Sequence, residues 1–329
     1  GGVRDGILAA VAAAGHWDGS EPALGELLSS QWEREILPLL ESGQLTDKGE
    51  ELVAVLEICH VLRLTLERDL WQEAPEVFPT LPMARILSYL PGAELSGEGR
   101  LRPRATSDGT ARDLALGRVA EMLLVAYDIS MRDFQFLQGF LRNDSFTLTG
   151  PLGAFYEFLW INPYVPGLSP TSGPIAAYDP VRGRVFARQS WDDGAQWLGW
   201  FDGKLVAYES GQARAIAPAK DPQAFPLPDA AILLGGQEGK VELTIAKGAQ
   251  PFGPHVWVVG LNAGMQYPIK IGKADFQMYK AGTGGVVELR NDPEAKRPSI
   301  EYDEKLRIQL RSGVPAPKGP APTLGPKLR

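Results

Sequence analysis

The stretch WLGWFDGKLVAY, which runs from Trp197 to Tyr208, decides the fold class of the second half of this chain. Two apolar runs are separated by Asp202-Gly203, a dipeptide typical of the two-residue turn between antiparallel strands. Apolar residues occupy both alternating positions of the first run, so that strand is expected to be central, with a covering layer on each face. The stretch therefore predicts a β-hairpin inside a buried sheet.

The same pattern extends along most of the second half. Short segments rich in aromatic and β-branched residues alternate with Gly, Pro, Asn and Asp. Strands are predicted at 175–178, 184–188, 196–201, 204–209, 231–234, 241–246, 255–261, 267–271, 276–280, 286–290 and 305–311. Many short strands with regular turn signals predict an antiparallel β-sandwich rather than alternating strands and helices.

The first half has helical periodicity instead. Helices are predicted from Gly2 to Ala14, from Ser20 to about Glu41 with a stop at Gly43, from Asp47 to about Glu73, and near Leu81 to Leu90. After a loop at 91–109, further helices are predicted to open at Thr110, Ser130 and Pro151. We therefore expect an α+β chain with a helical domain at 1–165, a β-sandwich domain at 166–311 and a Pro-rich, extended or disordered tail at 312–329.

Composition and charge exclude several classes of partner. The chain has 329 residues, 44% of them hydrophobic, which is enough for about two domains. No apolar run reaches the roughly 18 residues that would span a bilayer, so no membrane insertion is expected. Residues 1–165 carry 13 Lys and Arg against 24 Asp and Glu, which argues against a nucleic-acid partner. Residues 166–329 carry 20 Lys and Arg against 16 Asp and Glu. This positive excess could face an anionic polymer, the acidic first half of the chain or solvent.

Aromatic and polar residues concentrate where the two halves meet. Flat rings can stack on sugar faces while carboxylates and amides bind hydroxyls, so this set is the candidate ligand-binding site. Its members are Trp160, Asn162, Tyr164, Trp191, Asp192 and Asp193. Core packing is nevertheless the commoner role for each tryptophan at the junction, namely Trp160, Trp191, Trp197 and Trp200. Trp191 lies beside a turn and is the one expected to be exposed.

No metal, cofactor or catalytic residue is predicted. The three histidines, His16, His60 and His255, are widely separated and match no metal-ligand spacing. Cys59 falls on an apolar helical pattern, which predicts a buried thiol rather than a nucleophile. The Gly-rich runs at 235–239 and 282–285 precede strand-like segments, so they are interpreted as a hairpin turn and a loop and not as phosphate cradles.

Several segments around the junction resemble a known family. FLWINPY at 158–164, YDP at 178–180, GRVFARQSWDD at 183–193 and the Trp197–Gly203 run are similar to the point where the helical toroid of heparinase II/III-like polysaccharide lyases passes into its β-sandwich. The resemblance covers about residues 155–210. It implies a partial α/α toroid, export to the periplasm or beyond, and β-elimination at a uronic acid. In that family a Tyr or His removes the C5 proton while Asn, His or Arg neutralises the carboxylate.

This chain departs from the family in its helical half. There no Tyr or His stands within a family motif, and about seven predicted helices fall short of a full toroid. We therefore expect a carbohydrate-active protein that binds an anionic oligo- or polysaccharide at the junction, with lyase activity left open. The alternative is a non-catalytic binding or scaffold protein whose Pro-rich tail contacts a partner protein.

Overall fold

The computed structural model describes eight continuous ranges of the chain and several short pieces. The continuous ranges are residues 20–45, 66–88, 132–143, 173–192, 194–236, 238–249, 253–289 and 300–316, and single residues or short pieces are described at 52–63, 90–101 and 164–169. The predicted helix at Gly2–Ala14, the helices predicted to open at Thr110 and Pro151, and residues 317–329 of the predicted tail lie outside the described residues.

The helix predicted from Ser20 to about Glu41 is confirmed. It consists of α1 (Ser20–Glu26), a π-helical segment (Leu27–Ile36) and α2 (Leu37–Glu41), which follow one another without interruption. Gly43 then adopts φ +73°, and a Cβ there would meet the Arg182 side chain at 2.8 Å. Glycine thus ends the helix and lets the sheet part of the chain approach it.

The helix predicted from Asp47 to about Glu73 ends earlier than expected. Its described residues between 52 and 66 are helical, and they bury the predicted apolar face, including Cys59. Glu67, however, has φ +53°, which is incompatible with a continuing helix. Leu70–Glu73 forms a separate 3₁₀ turn, followed by α3 (Leu81–Leu87) and later by α4 (Arg132–Asn143).

The first large sheet contains the first four predicted strands and one that was not predicted, and we call it the meander because consecutive strands are neighbours. Its strands are β3 (Ala176–Asp179), β4 (Arg184–Arg188), β5 (Trp197–Phe201), β6 (Lys204–Glu209) and β7 (Gln212–Ile216), paired antiparallel in that order. Asp202 and Gly203 have φ +50° and +70°, which confirms the predicted turn between β5 and β6. Upstream, β1 (Glu94–Ser96) and β2 (Gly99–Leu101) form a hairpin where a loop was predicted.

Two further sheets follow, a central sheet and an outer sheet. The central sheet has the order β14-β11-β9-β8, with β8 at Gln223–Leu227, β9 at Ala230–Leu234, β11 at His255–Val259 and β14 at Val287–Leu289. The outer sheet has the order β10-β15-β12-β13, with β10 at Gly239–Thr244, β12 at Met265–Ile271, β13 at Gln277–Lys280 and β15 at Lys305–Leu310. A short β16 (Val314–Pro315), inside the predicted tail, also pairs with β12.

Two details of the predicted sandwich were wrong. β9 and β11 pair parallel, with Ala230 opposite His255 and Leu234 opposite Val259, whereas an all-antiparallel fold was expected. The cause is that the chain leaves the central sheet to form β10 and then returns in the same direction. The Gly-rich run after β9 is consequently a link between two sheets and not a hairpin turn.

The three large sheets stack in layers above the helices. A core that contains Val185, Trp200, Ile232 and Trp257 lies between the meander and the central sheet. Another, with Val256, Ile269 and Ile308, lies between the central and outer sheets. The opposite face of the meander packs Phe186, Trp197 and Phe201 against Ala84 and Leu87 of α3. The chain is therefore α+β, with strand β5 covered on both faces as predicted.

No helix in the described part of the chain is both long and apolar enough to cross a bilayer.

Candidate functional site

The predicted site residue with the best-defined surroundings is Trp191, which lies in the connection between β4 and β5. The Gln189 amide donates to the Gln196 carbonyl at 2.8 Å and closes this connection. Within it, Ser190 Oγ donates to Asp192 Oδ2 at 2.7 Å, and the Ala195 amide donates to the Asp192 carbonyl at 3.1 Å. We call residues 189–196 the Trp191 turn. Its internal hydrogen bonds hold Trp191 and Asp192 in a defined conformation.

The indole of Trp191 lies where α4 meets the meander. Its ring centroid is 5.2 Å from that of Phe136, at an interplanar angle of 51°, and its Nε1 faces the Gly173 carbonyl at 3.4 Å. The residue is partly buried and packs against the helical core and the core between α3 and the meander. A Cβ on Gly173 would lie 1.9 Å from the Phe136 ring, which shows why only glycine fits at this close approach.

Arg188 places a positive charge directly on this ring. Its guanidinium carbon is 4.3 Å from the Trp191 ring centroid, within the range of a cation–π contact. The residue is only 4% exposed, and its Nε donates to the Ser190 carbonyl at 2.7 Å. The turn therefore combines a partly buried indole with a fixed, nearly buried cation. Sequence reasoning missed this role, although an Arg three residues before a Trp at a strand end was a usable signal.

The structure brings two of the six candidate residues together and describes one more. Trp191 and Asp192 share the turn, and the Asp192 side chain is exposed. Tyr164 is 93% exposed, as an accessible ring requires. Trp160, Asn162 and Asp193 lie outside the described residues.

Two other tryptophans near the junction are core residues. Trp197 is 1% exposed and Trp200 is 5% exposed. Trp197 Nε1 donates to the Leu87 carbonyl at 2.7 Å, and Trp200 Nε1 donates to the Gly284 carbonyl at 2.9 Å. The prediction that core packing explains these two residues is confirmed, and the ligand-binding interpretation does not apply to them.

The described residues also show where reactive groups lie. Cys59 is 3% exposed, and burial raises the pKa of its thiol far above the usual range, so it stays protonated at neutral pH. Among the residues described, no three His, Cys, Asp or Glu side chains form a group that could hold a metal ion.

The buried carboxylate of Asp229 has a structural role. It is 1% exposed and accepts a hydrogen bond from the Gly248 amide at 2.9 Å and another from Tyr302. It therefore ties together three loops at one end of the central and outer sheets.

Comparison of the chain with protein-family models, with curated proteins and with solved structures finds no match.

Proposed function

We propose that this protein binds an oligosaccharide or polysaccharide at the Trp191 turn, at the rim of the junction between α4 and the meander. One observation carries the proposal. Trp191 is only partly buried and lies on a hydrogen-bonded turn beside an exposed carboxylate, whereas Trp197 and Trp200 are sealed in the core.

The turn offers the three kinds of contact that a sugar ring uses. The indole supplies an apolar surface for C–H groups. Ser190 occupies Oδ2 of Asp192, which leaves Oδ1 to accept a hydrogen bond from a sugar hydroxyl. Arg188, at 4.3 Å from the ring, adds a positive field that favours a sugar bearing a carboxylate or sulfate. Because the turn is already ordered, little conformational entropy is lost on binding.

The resemblance to heparinase II/III-like lyases adds three elements to the proposal. They are a helical part built as a portion of an α/α toroid, export from the cytoplasm, and β-elimination at a uronic acid of the bound chain. None of the residues described is assigned to removal of the C5 proton. Saccharide binding at the Trp191 turn does not depend on that chemistry.

Binding is tested by calorimetric titration with acidic oligosaccharides derived from heparin, alginate and pectin, and with neutral dextran. We expect Trp191→Ala to weaken binding about fivefold, since one aromatic contact contributes on the order of 1 kcal/mol. The control is Leu66→Ala, which removes a 36% exposed apolar side chain that is not part of the turn. Unchanged affinity in Trp191→Ala, or no binding of any saccharide by the wild type, would contradict the proposal.

Lyase activity is tested separately by ultraviolet absorbance. β-Elimination leaves an unsaturated uronate that absorbs, whereas binding without cleavage gives no signal. Saccharide binding with no absorbance change on any of the three acidic polymers would favour the non-catalytic alternative and would leave the binding proposal in place.

A further inference from the structure

The outer sheet exposes a second surface whose charge differs from that of the chain as a whole. Alternate residues of β10, β12, β13 and β15 point away from the core, as their burial patterns show. We call this surface the basic sheet face. Its charged members are Lys240, Glu242, Lys270, Lys280, Lys305 and Arg307, continued by Arg311 just after β15. A second carboxylate, Glu238, lies just before β10, where Ser312 donates to it at 3.4 Å. Six cations thus stand against two carboxylates, in a protein with a net charge of −7.

Strand register arranges these cations in rows across the sheet. Lys240 and Lys270 both lie opposite Gln309, so the three side chains form one row over three strands. In the neighbouring row Arg307 lies opposite Glu242, and at the other end of the sheet Lys280 lies opposite Gln266. Adjacent strands are about 4.8 Å apart and same-face residues about 6.8 Å apart along a strand, so the cations form a flat array.

The charges of this array are only partly neutralised. Glu242 accepts from Arg307 at 2.7 Å and from Lys305 at 3.1 Å, so two cations share one carboxylate. The Arg307 and Lys305 side chains nevertheless remain 74% and 75% exposed. Within the described part of the chain, Lys240, Lys270 and Lys280 have no acidic partner within 4 Å.

The neighbouring side chains distinguish between classes of polyanion. Gln266 and Gln309 place amides between the cations, and amides can both donate to and accept from sugar hydroxyls. The aromatic residues of these strands, Tyr267 and Tyr279, point into the core, and Phe276 lies beneath the Arg311 guanidinium at 3.8 Å. Proteins that bind single-stranded nucleic acid normally present several exposed rings in a row for base stacking. On this face Phe276 alone is partly exposed among these three rings, and the Arg311 guanidinium covers it.

We propose that the basic sheet face binds a linear anionic polysaccharide, whose carboxylates or sulfates pair with the lysine and arginine rows. This surface lies on the opposite side of the sheet stack from the Trp191 turn. Binding there is independent of the function proposed above, and Trp191→Ala is expected to leave it unchanged.

The test compares two triple variants of the full chain. Lys240→Gln, Lys270→Gln and Lys280→Gln together remove three of the four cations that have no acidic partner among the described residues, and leave Arg311 on the Phe276 ring. The matched control, Lys204→Gln, Arg214→Gln and Lys220→Gln, removes three exposed cations from β6, β7 and the connection that follows β7. Affinity is measured by titration with a sized heparin oligosaccharide, an oligogalacturonate, neutral dextran and single-stranded DNA of matched charge, at several salt concentrations.

We expect both acidic glycans to bind more tightly than the DNA, and dextran not to bind at this face. The face variant should lose about tenfold in affinity, since each exposed charge contact is worth roughly 0.5 kcal/mol. Its slope of log affinity against log salt should fall by about one per lysine. The control variant should match the wild type. Thermal unfolding of both variants should be unchanged, because all six side chains lie at the surface.

Three results would overturn the proposal. The first is an equal loss of glycan affinity in the two variants, which would mean that the total charge of the protein, and not this face, determines binding. The second is DNA binding as tight as glycan binding. The third is a dimer, seen by sedimentation, that dissociates only in the face variant, which would identify the acidic part of a second copy as the occupant.

Discussion

Replacing Trp197 by Phe should destabilise the protein strongly, because this side chain joins the helices to the meander. Its Nε1 donates at 2.7 Å to the carbonyl of Leu87, the last residue of α3. Carbonyls at helix C-termini lack partners within the helix, so the indole supplies one. The ring also packs on Phe186, with centroids 5.9 Å apart.

The magnitude follows from two losses. Leaving the Leu87 carbonyl buried without its donor costs about 1–3 kcal/mol. The smaller ring leaves unfilled volume at a site that is 1% exposed, which adds about 1 kcal/mol. We therefore expect Trp197→Phe to lower the free energy of unfolding by about 2–4 kcal/mol, a large fraction of the about 5–15 kcal/mol of a typical domain.

Urea unfolding followed by far-ultraviolet circular dichroism measures this loss by linear extrapolation. The comparison variant is Trp191→Phe, whose half-buried indole faces its acceptor at 3.4 Å and should cost less than about 1 kcal/mol. A loss in Trp197→Phe no greater than that in Trp191→Phe would refute the packing described for the junction.

Three further predictions concern buried titratable groups. Asp229→Asn should lower the free energy of unfolding, measured in urea, by about 1–3 kcal/mol. It should also lower the pKa of Tyr302, because burial and the hydrogen bond to Asp229 both raise that pKa; absorbance titration of tyrosine above pH about 10 checks the shift. Burial raises the pKa of Asp179, so the native state holds its proton more tightly, and wild-type stability relative to Asp179→Asn should fall as pH rises from about 4 to 7; a rise would contradict this. Cys59 should resist iodoacetamide in the native protein and react fully in urea, and rapid native labelling would show that its helix face is open.

Local signals in the sequence predicted much of the sheet. β4 and β6 have the predicted bounds, and the Asp202-Gly203 turn lies where the dipeptide placed it. These features depend on neighbouring residues, so one sequence is enough to reveal them. The parallel pairing of β9 with β11 depends on where β10 goes, which no local pattern encodes.

The strands β7, β8 and β16 were missed for two physical reasons. β8 and β16 contain Pro226 and Pro315, and a proline within an apolar run argues against a strand. β8 is nevertheless an edge strand, where the missing amide need not bond. β7 is almost entirely exposed, so it has no apolar alternation to detect.

The candidate site was predicted in part for a similar reason. Trp191 and Asp192 stand beside a recognisable turn, so their position near the surface follows from the sequence. The contact with Phe136 joins residues 55 positions apart, so it appears only in the folded chain. The contact with Arg188 is local, and the spacing of the two residues could have indicated it.

Nuclear magnetic resonance of the indole N–H groups tests the central claim most directly. The chain has eight tryptophans, and the Trp191 signal can be assigned by its loss in Trp191→Phe. During titration with an acidic oligosaccharide, we predict that the Trp191 signal shifts while those of Trp197 and Trp200, both hydrogen-bonded in the core, stay in place. A saturating titration that leaves the Trp191 signal unmoved would contradict saccharide binding at this turn.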